Sequence, residues 1–308
     1  MARVGLPVFT HPACLAHDTG PGHAERPQRL GAVVEALREA LPTLDWREAP
    51  RATRGQLLRV HASSLLAAVL ETRPDARMQL DPDTVLSPAS AEAALRCAGA
   101  GVAAVDCVMG GEAQAAFCAV RPPGHHATGE HAMGFCLFNT VAVATAHALD
   151  RHGLARVSIV DFDVHHGNGT QAIFDAEPRV QYLSSHQMPL YPDTGSPQER
   201  GVGNVFNVAL GPGTGSRRFR EAWQDTLLPA IDAFAPQLLL VSAGFDAHWR
   251  DPLAQLQLEA DDFAWLTHEL VALADVHALG RVVSLLEGGY DLQALRECSV
   301  AHVGALRA

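Results

Sequence analysis

The chain has 308 residues, 48% of them hydrophobic and 19% charged, with a formal net charge of −11. That length can bury a sizeable core in one large or two small domains, and nothing in the composition resembles disorder. The acidic balance argues against a nucleic-acid partner held by phosphate contacts or read directly, because that mode needs clustered Lys and Arg.

The first residues, MARVGLPVFTHPAC, lack the long apolar core of a secretory signal, and no later run is long enough to span a bilayer. The expectation is a soluble cytoplasmic protein without a membrane partner. Six cysteines (Cys14, Cys97, Cys107, Cys118, Cys136, Cys298) are scattered without a C-x-x-C pair, as small core residues in a reducing compartment would be.

In chain order, an Ala- and Leu-rich helical stretch at Ser90–Val108 precedes the apolar run AAFCAV, which stops at RPPGHH. A second helical stretch, Thr140–Arg151, leads into RVSIV, which stops at DFDVHH, and RVQYL follows and stops at SSH. Helical patterns at Arg218–Phe234 and Ala260–Leu279 alternate with QLLLVSAG, which stops at FDAH, and RVVSLL, which stops at EGGY. Short continuous apolar runs suit strands buried on both faces of a parallel sheet. Their alternation with helices predicts a single α/β domain over 1–308, a three-layer αβα sandwich around a mainly parallel sheet. The segments Arg73–Pro88 and Tyr191–Gly215 read as long loops near one rim of it. Ligands bind at the carboxyl ends of such strands, where all five polar bursts fall.

The chemistry at those ends is specific. Asp163 and His165 are two apart in extended backbone, so both side chains can face one way. Asp246, ending another strand, is the best-placed third ligand, and two carboxylates with one imidazole leave a zinc position open for water. Any one of these residues alone reads more simply as a helix cap or a solvated side chain. Convergence from separate strands favours the metal. In RPPGHHA, His125 and His126 follow a tight turn, and one of two adjacent imidazoles could move a proton between water and a leaving amine. In LEGGY, two glycines let the backbone approach a site and present the Tyr290 hydroxyl to a developing oxyanion.

Taken together, the motifs RPPGHHA, DFDVHHGNGTQ, YPDTG, SAGFDAH and LEGGYDL resemble the zinc-dependent histone deacetylase superfamily, which includes bacterial acetoin-utilisation proteins and acetylpolyamine amidohydrolases. They occur in the family's order from about His11 to the C-terminal region, and HHGNGTQ with LEGGY is similar to the class II branch. The resemblance implies the arginase/deacetylase fold and hydrolysis of an N-acetyl amide to acetate and a free amine. It implies Asp163, His165 and Asp246 as zinc ligands, His126 as general base and acid, His125 as its electrostatic neighbour and Tyr290 as the carbonyl polariser. Asp161 would back His125 and, with Asp163, His165, Ser184, Ser185 and nearby carbonyls, hold a structural potassium ion. Phe135 and Tyr191, beside Gly134, would wall the acyl-lysine tunnel. Arg29 matches an inner-channel arginine, and Asp83 a rim carboxylate that holds the substrate backbone. Asn168 stands where class I enzymes carry an aspartate behind His126. An amide orients the ring without stabilising its charge, so His126 should stay neutral more readily.

The expected substrate is an acetylated lysine peptide or protein, or an acetylated small amine. The alternative within the family is an acetylpolyamine. Polyamine-selective relatives carry Asp-Pro-Glu after the third zinc ligand, whereas this chain reads Asp251-Pro252-Leu253, an apolar gatekeeper. A non-catalytic acyl-lysine binding module would be expected to lose Tyr290, His126 or a ligand, and all are present. A binuclear manganese hydrolase would want further bridging carboxylates, and the one spare, Asp161, is assigned elsewhere. The oligomeric state is left open, a homo-oligomer being compatible.

Overall fold

The structure is a computed structural model that describes residues 5–307. Its strands run β1 Pro7–Thr10, β2 Asp45–Glu48, β3 Met78–Asp81, β4 Thr84–Leu86, β5 Ala115–Cys118, β6 Val157–Asp161, β7 Val180–Gln187, β8 Val205–Leu210, β9 Leu238–Ala243 and β10 Val282–Leu286. Eight of them form one sheet in the order β2-β1-β5-β10-β9-β6-β7-β8, every pair parallel. Helices cover both faces, giving the three-layer αβα architecture. All six residues of β9 and all five of β6 and of β10 are buried, which explains their unbroken apolar runs.

The topology places the site. β5, β10, β9 and β6 are consecutive in the sheet though scattered in the chain, and their carboxyl ends lie level: Leu286 pairs with Ala243, and Asp161 with Ser242. The residues that follow them include His125 and His126, Tyr290, Asp246, and Asp163 with His165, so one rim collects them.

All five predicted strands are present, and the structure adds others. The Tyr191–Gly215 segment contains β8, and Arg73–Pro88 contains the antiparallel hairpin β3–β4. β8 leaves alternate residues half exposed and β3 is largely exposed, so neither has a continuous apolar run. β1 is a short strand that opens on proline, and β2 is the polar edge strand DWRE. The helical stretch from Arg218 to Phe234 is one rod with a wide turn at Trp223–Leu227. Pro229, which follows at once, has no N–H to give to a tighter ladder.

Candidate active site

Asp163 and His165 leave the end of β6 together and meet Asp246 from the loop after β9, and one ligand atom from each of the three lies within 4.8 Å of the others. Asp163 Oδ1 accepts the His165 backbone N–H at 2.9 Å and lies 3.1 Å from the ring Nδ1, while its Oδ2 accepts Gly288 N–H at 2.8 Å. Asp246 Oδ1 accepts Val164 N–H at 2.9 Å. Asp246 Oδ2 is buried, 3.3 Å from the same His165 nitrogen, yet receives no hydrogen bond. An unpaired carboxylate oxygen in a dry interior is costly, and a divalent cation is what such an oxygen lacks. Burial and the charge of Asp163 push the Asp246 carboxyl up.

A second cluster shows the contrast. Asp106, His147 and His152 also converge, but Asp106 is exposed and one of its oxygens meets both imidazoles, at 2.8 and 2.7 Å. Those groups satisfy each other, whereas the buried trio leaves the Asp246 Oδ2 oxygen without a hydrogen-bond partner. Two carboxylates and one imidazole fit zinc with open positions.

Close approach around the trio depends on glycine. A Cβ on Gly288 would run into the carboxylates of Asp246 and Asp163, and one on Gly134, already at φ +56°, would enter the His126 ring. The tandem histidines differ in state. His125 Nδ1 is 3.0 Å from Asp161 Oδ2, and although burial opposes charge, Asp161 and Asp163 outweigh it and raise the imidazole well above its ordinary value. His126 is 2.8 Å from Asn168 Oδ1, and burial, then the nearby charge of His125, hold it well below. The surroundings thus favour the charged form of His125 and the neutral form of His126.

The residues expected to wall the tunnel gather at this rim. The Tyr191 ring centre is 5.1 Å from that of His126, and Phe135, at φ +67°, lies 5.8 Å from Tyr290. Asp83 Oδ1 accepts Gly134 N–H at 3.2 Å and the Thr84 hydroxyl at 2.9 Å, so it ties the Gly134 turn to the start of β4. Leu253 is placed by its N–H, which donates to Asp251 at 3.0 Å, and the other oxygen of that carboxylate accepts Tyr290 N–H at 2.7 Å. Arg29 is fully buried behind Tyr290. Ser184, in register with Asp161, lies 2.9 Å from His186 Nδ1. The Ser185 side chain is not brought to the site: its hydroxyl accepts the Trp223 indole N–H at 3.1 Å, as the alternation of a strand requires.

Sequence reasoning missed four buried charged residues that support the site. Glu287 accepts the backbone N–H of Gly124 and of His125, at 2.6 and 3.2 Å, fixing the tandem-histidine turn. Asp251 ties the Leu253 loop to Tyr290, while Glu25 and Arg121 form a buried ion pair behind them. Arg121, Glu287 and Asp251 lie inside segments already singled out, and Glu25 is four residues before Arg29. For Arg121, Glu287 and Asp251 the available signal was a charge next to an apolar strand end or an assigned residue.

A family profile described as a histone deacetylase domain matches residues 23–306. The chain belongs to the histone deacetylase family. An uncharacterised protein of Synechocystis is 42% identical over 292 residues, covering 93% of this chain and 94% of its own. A histone deacetylase-like amidohydrolase of Pseudomonas aeruginosa is 39% identical, covering 97% of this chain and 85% of its own. The human polyamine deacetylase HDAC10 is also 39% identical, covering 89% of this chain and 43% of its own. The crystal structure of the HDA15 HD domain superposes with a TM-score of 0.93 at 35% identity, covering 98% of this chain and 88% of that one. No helix among the described residues is long and apolar enough to cross a membrane.

Proposed function

We propose that the chain is one catalytic domain that hydrolyses the acetyl amide of acetyl-lysine or a similar single-amine acetamide. The observation that carries this reading is the buried Asp163–His165–Asp246 trio with its unpaired carboxylate oxygen, next to the adjacent rings of His125 and His126. Those three residues would hold zinc, which when bound polarises an acyl carbonyl and makes hydroxide available at neutral pH. His126 presents Nδ1–H to Asn168 Oδ1, leaving Nε2 to take the proton of the attacking water and return it to the leaving amine. His125, fixed by Asp161, stays positive beside the developing negative charge. The Tyr290 hydroxyl donates to the carbonyl oxygen as that charge builds. A structural potassium ion would sit by Asp161, with Ser184 and the backbone of Ser185. Six unpaired, buried cysteines agree with a reducing, cytoplasmic setting.

Identity with a protein named polyamine deacetylase supports acetylpolyamine as the second reading. Leu253 favours the first, because a leucine gives a lysine stem apolar contact and gives a second ammonium no attraction. Catalytic efficiency on an acetyl-lysine peptide should therefore exceed that on acetylputrescine, and Leu253→Glu should shift the ratio toward the polyamine. A strong wild-type preference for acetylputrescine would overturn this choice.

A further inference from the structure

Behind Tyr290 lies a closed set of charges that the hydrolytic chemistry does not use. Glu25, Arg29 and Arg121 are fully buried. Glu25 receives Arg121 Nε and Nη2 at 2.7 and 2.6 Å and Arg29 Nη1 at 3.0 Å. Arg121 is fixed from its other side by the carbonyls of Cys14 and His17, each at 2.7 Å. Arg29 turns its other two nitrogens to the glycine turn, Nε donating to Gly289 O and Nη2 to Glu287 O, each at 2.5 Å. Its guanidinium carbon stands 4.8 Å from the Tyr290 ring centre.

The chain of contacts runs from Arg121 through Glu25 and Arg29 to the two carbonyls that bracket the turn before Tyr290. Gly289, at φ +115°, has no side chain of its own to hold that turn. A planar guanidinium gripped at all three nitrogens has one orientation, and it transmits that orientation to the backbone it binds.

We propose that Glu25 is a positioning residue for Tyr290, acting through Arg29 and the carbonyls of the glycine turn, with Arg121 holding Glu25 in place. This rests on the role given to the Tyr290 hydroxyl above. A carboxylate here does what no neutral side chain can, binding both guanidiniums and offsetting part of their buried charge. A 1 Å error in a hydroxyl that must meet a developing oxyanion is enough to lower turnover, while substrate binding in the tunnel is little affected.

The test is a double-mutant cycle on zinc-loaded protein with an acetyl-lysine peptide, reading kcat, KM, zinc content and Tm. Glu25→Gln alone should lower kcat about tenfold or more, with KM within about threefold and zinc retained. In the Tyr290→Phe background the same substitution should lower kcat by less than about twofold, because the hydroxyl it positions is already gone. Equal losses in both backgrounds, or no loss from Glu25→Gln alone, overturn the inference. Wild-type turnover by Tyr290→Phe alone instead sinks the role of the phenol. Should Glu25→Gln fail to fold, Glu25→Asp keeps the charge and shortens the reach to Arg29. It should show the same coupling with a smaller loss, and additive losses from it overturn the inference equally.

Discussion

Tyr290 is fixed through its backbone N–H, which Asp251 accepts, and through its ring, which lies between Arg29 and Phe135. Burial pushes its phenol well above the ordinary value, so it is a hydrogen-bond donor at neutral pH. Tyr290→Phe keeps the ring and removes the donor, so kcat should fall by roughly a hundredfold or more with zinc and substrate still bound, and His126→Ala should stop turnover without unfolding. Rates near wild type in either variant would refute those roles. At this scale the sequence was most readable where chemistry is rare. A strand ending in Asp-x-Asp-x-His-His has few structural explanations, whereas Glu25 and Asp251 look like any loop carboxylate until their partners, distant in the chain, are brought beside them. Asp83 sits between these cases. It was expected to grip a substrate backbone, and its carboxylate is engaged by Gly134 and Thr84.

That engagement belongs to the scale of elements. The β3–β4 hairpin brings Asp83 and Thr84 to Gly134 and Phe135, both at positive φ, and the Thr84 hydroxyl accepts Phe135 N–H at 3.1 Å. Asp83→Ala should loosen the tunnel wall and raise KM several-fold for an acetyl-lysine peptide and for a short acetylated alkylamine alike, leaving zinc content unchanged. A rise confined to the peptide would show instead that Asp83 acts on the substrate backbone. The hairpin was hidden in the sequence because it buries little of β3 and spans a few residues on each side, so no periodicity develops. The five fully buried central strands show the reverse: each is built mostly of apolar residues through its middle, with the polar ones gathered largely toward the carboxyl end, so their runs are unmistakable. β2 gains its place from pairing with β1 and not from its own DWRE sequence.

At the scale of the whole molecule, the interior holds several imidazoles that burial keeps neutral. His17 and His61 are depressed to about 4, and His186 and His302 to about 3. His302 bridges the hydroxyls of Thr267 and Ser284, at 2.6 and 2.7 Å, among aromatic rings. In the unfolded chain each takes a proton near pH 6.5, so below that pH the unfolded state binds more protons and the fold loses stability down to the depressed values. The contribution of these four histidines should be full above pH 6.5 and fall steadily toward pH 4, each adding about 1.4 kcal/mol per pH unit to the slope. His302→Gln, with no titrating ring, should flatten the urea-unfolding slope across pH 6 to 4.5 by about that amount, and an unchanged slope would contradict the account.

The central claim is that Asp163, His165 and Asp246 hold the zinc on which deacetylation depends. Its most direct test is paired metal analysis and acetate release from an acetyl-lysine peptide, for the wild type and for Asp246→Ala. One zinc per chain with turnover is expected in the wild type, and near-complete loss of both in the variant. Full zinc content or wild-type acetate release by Asp246→Ala would contradict it.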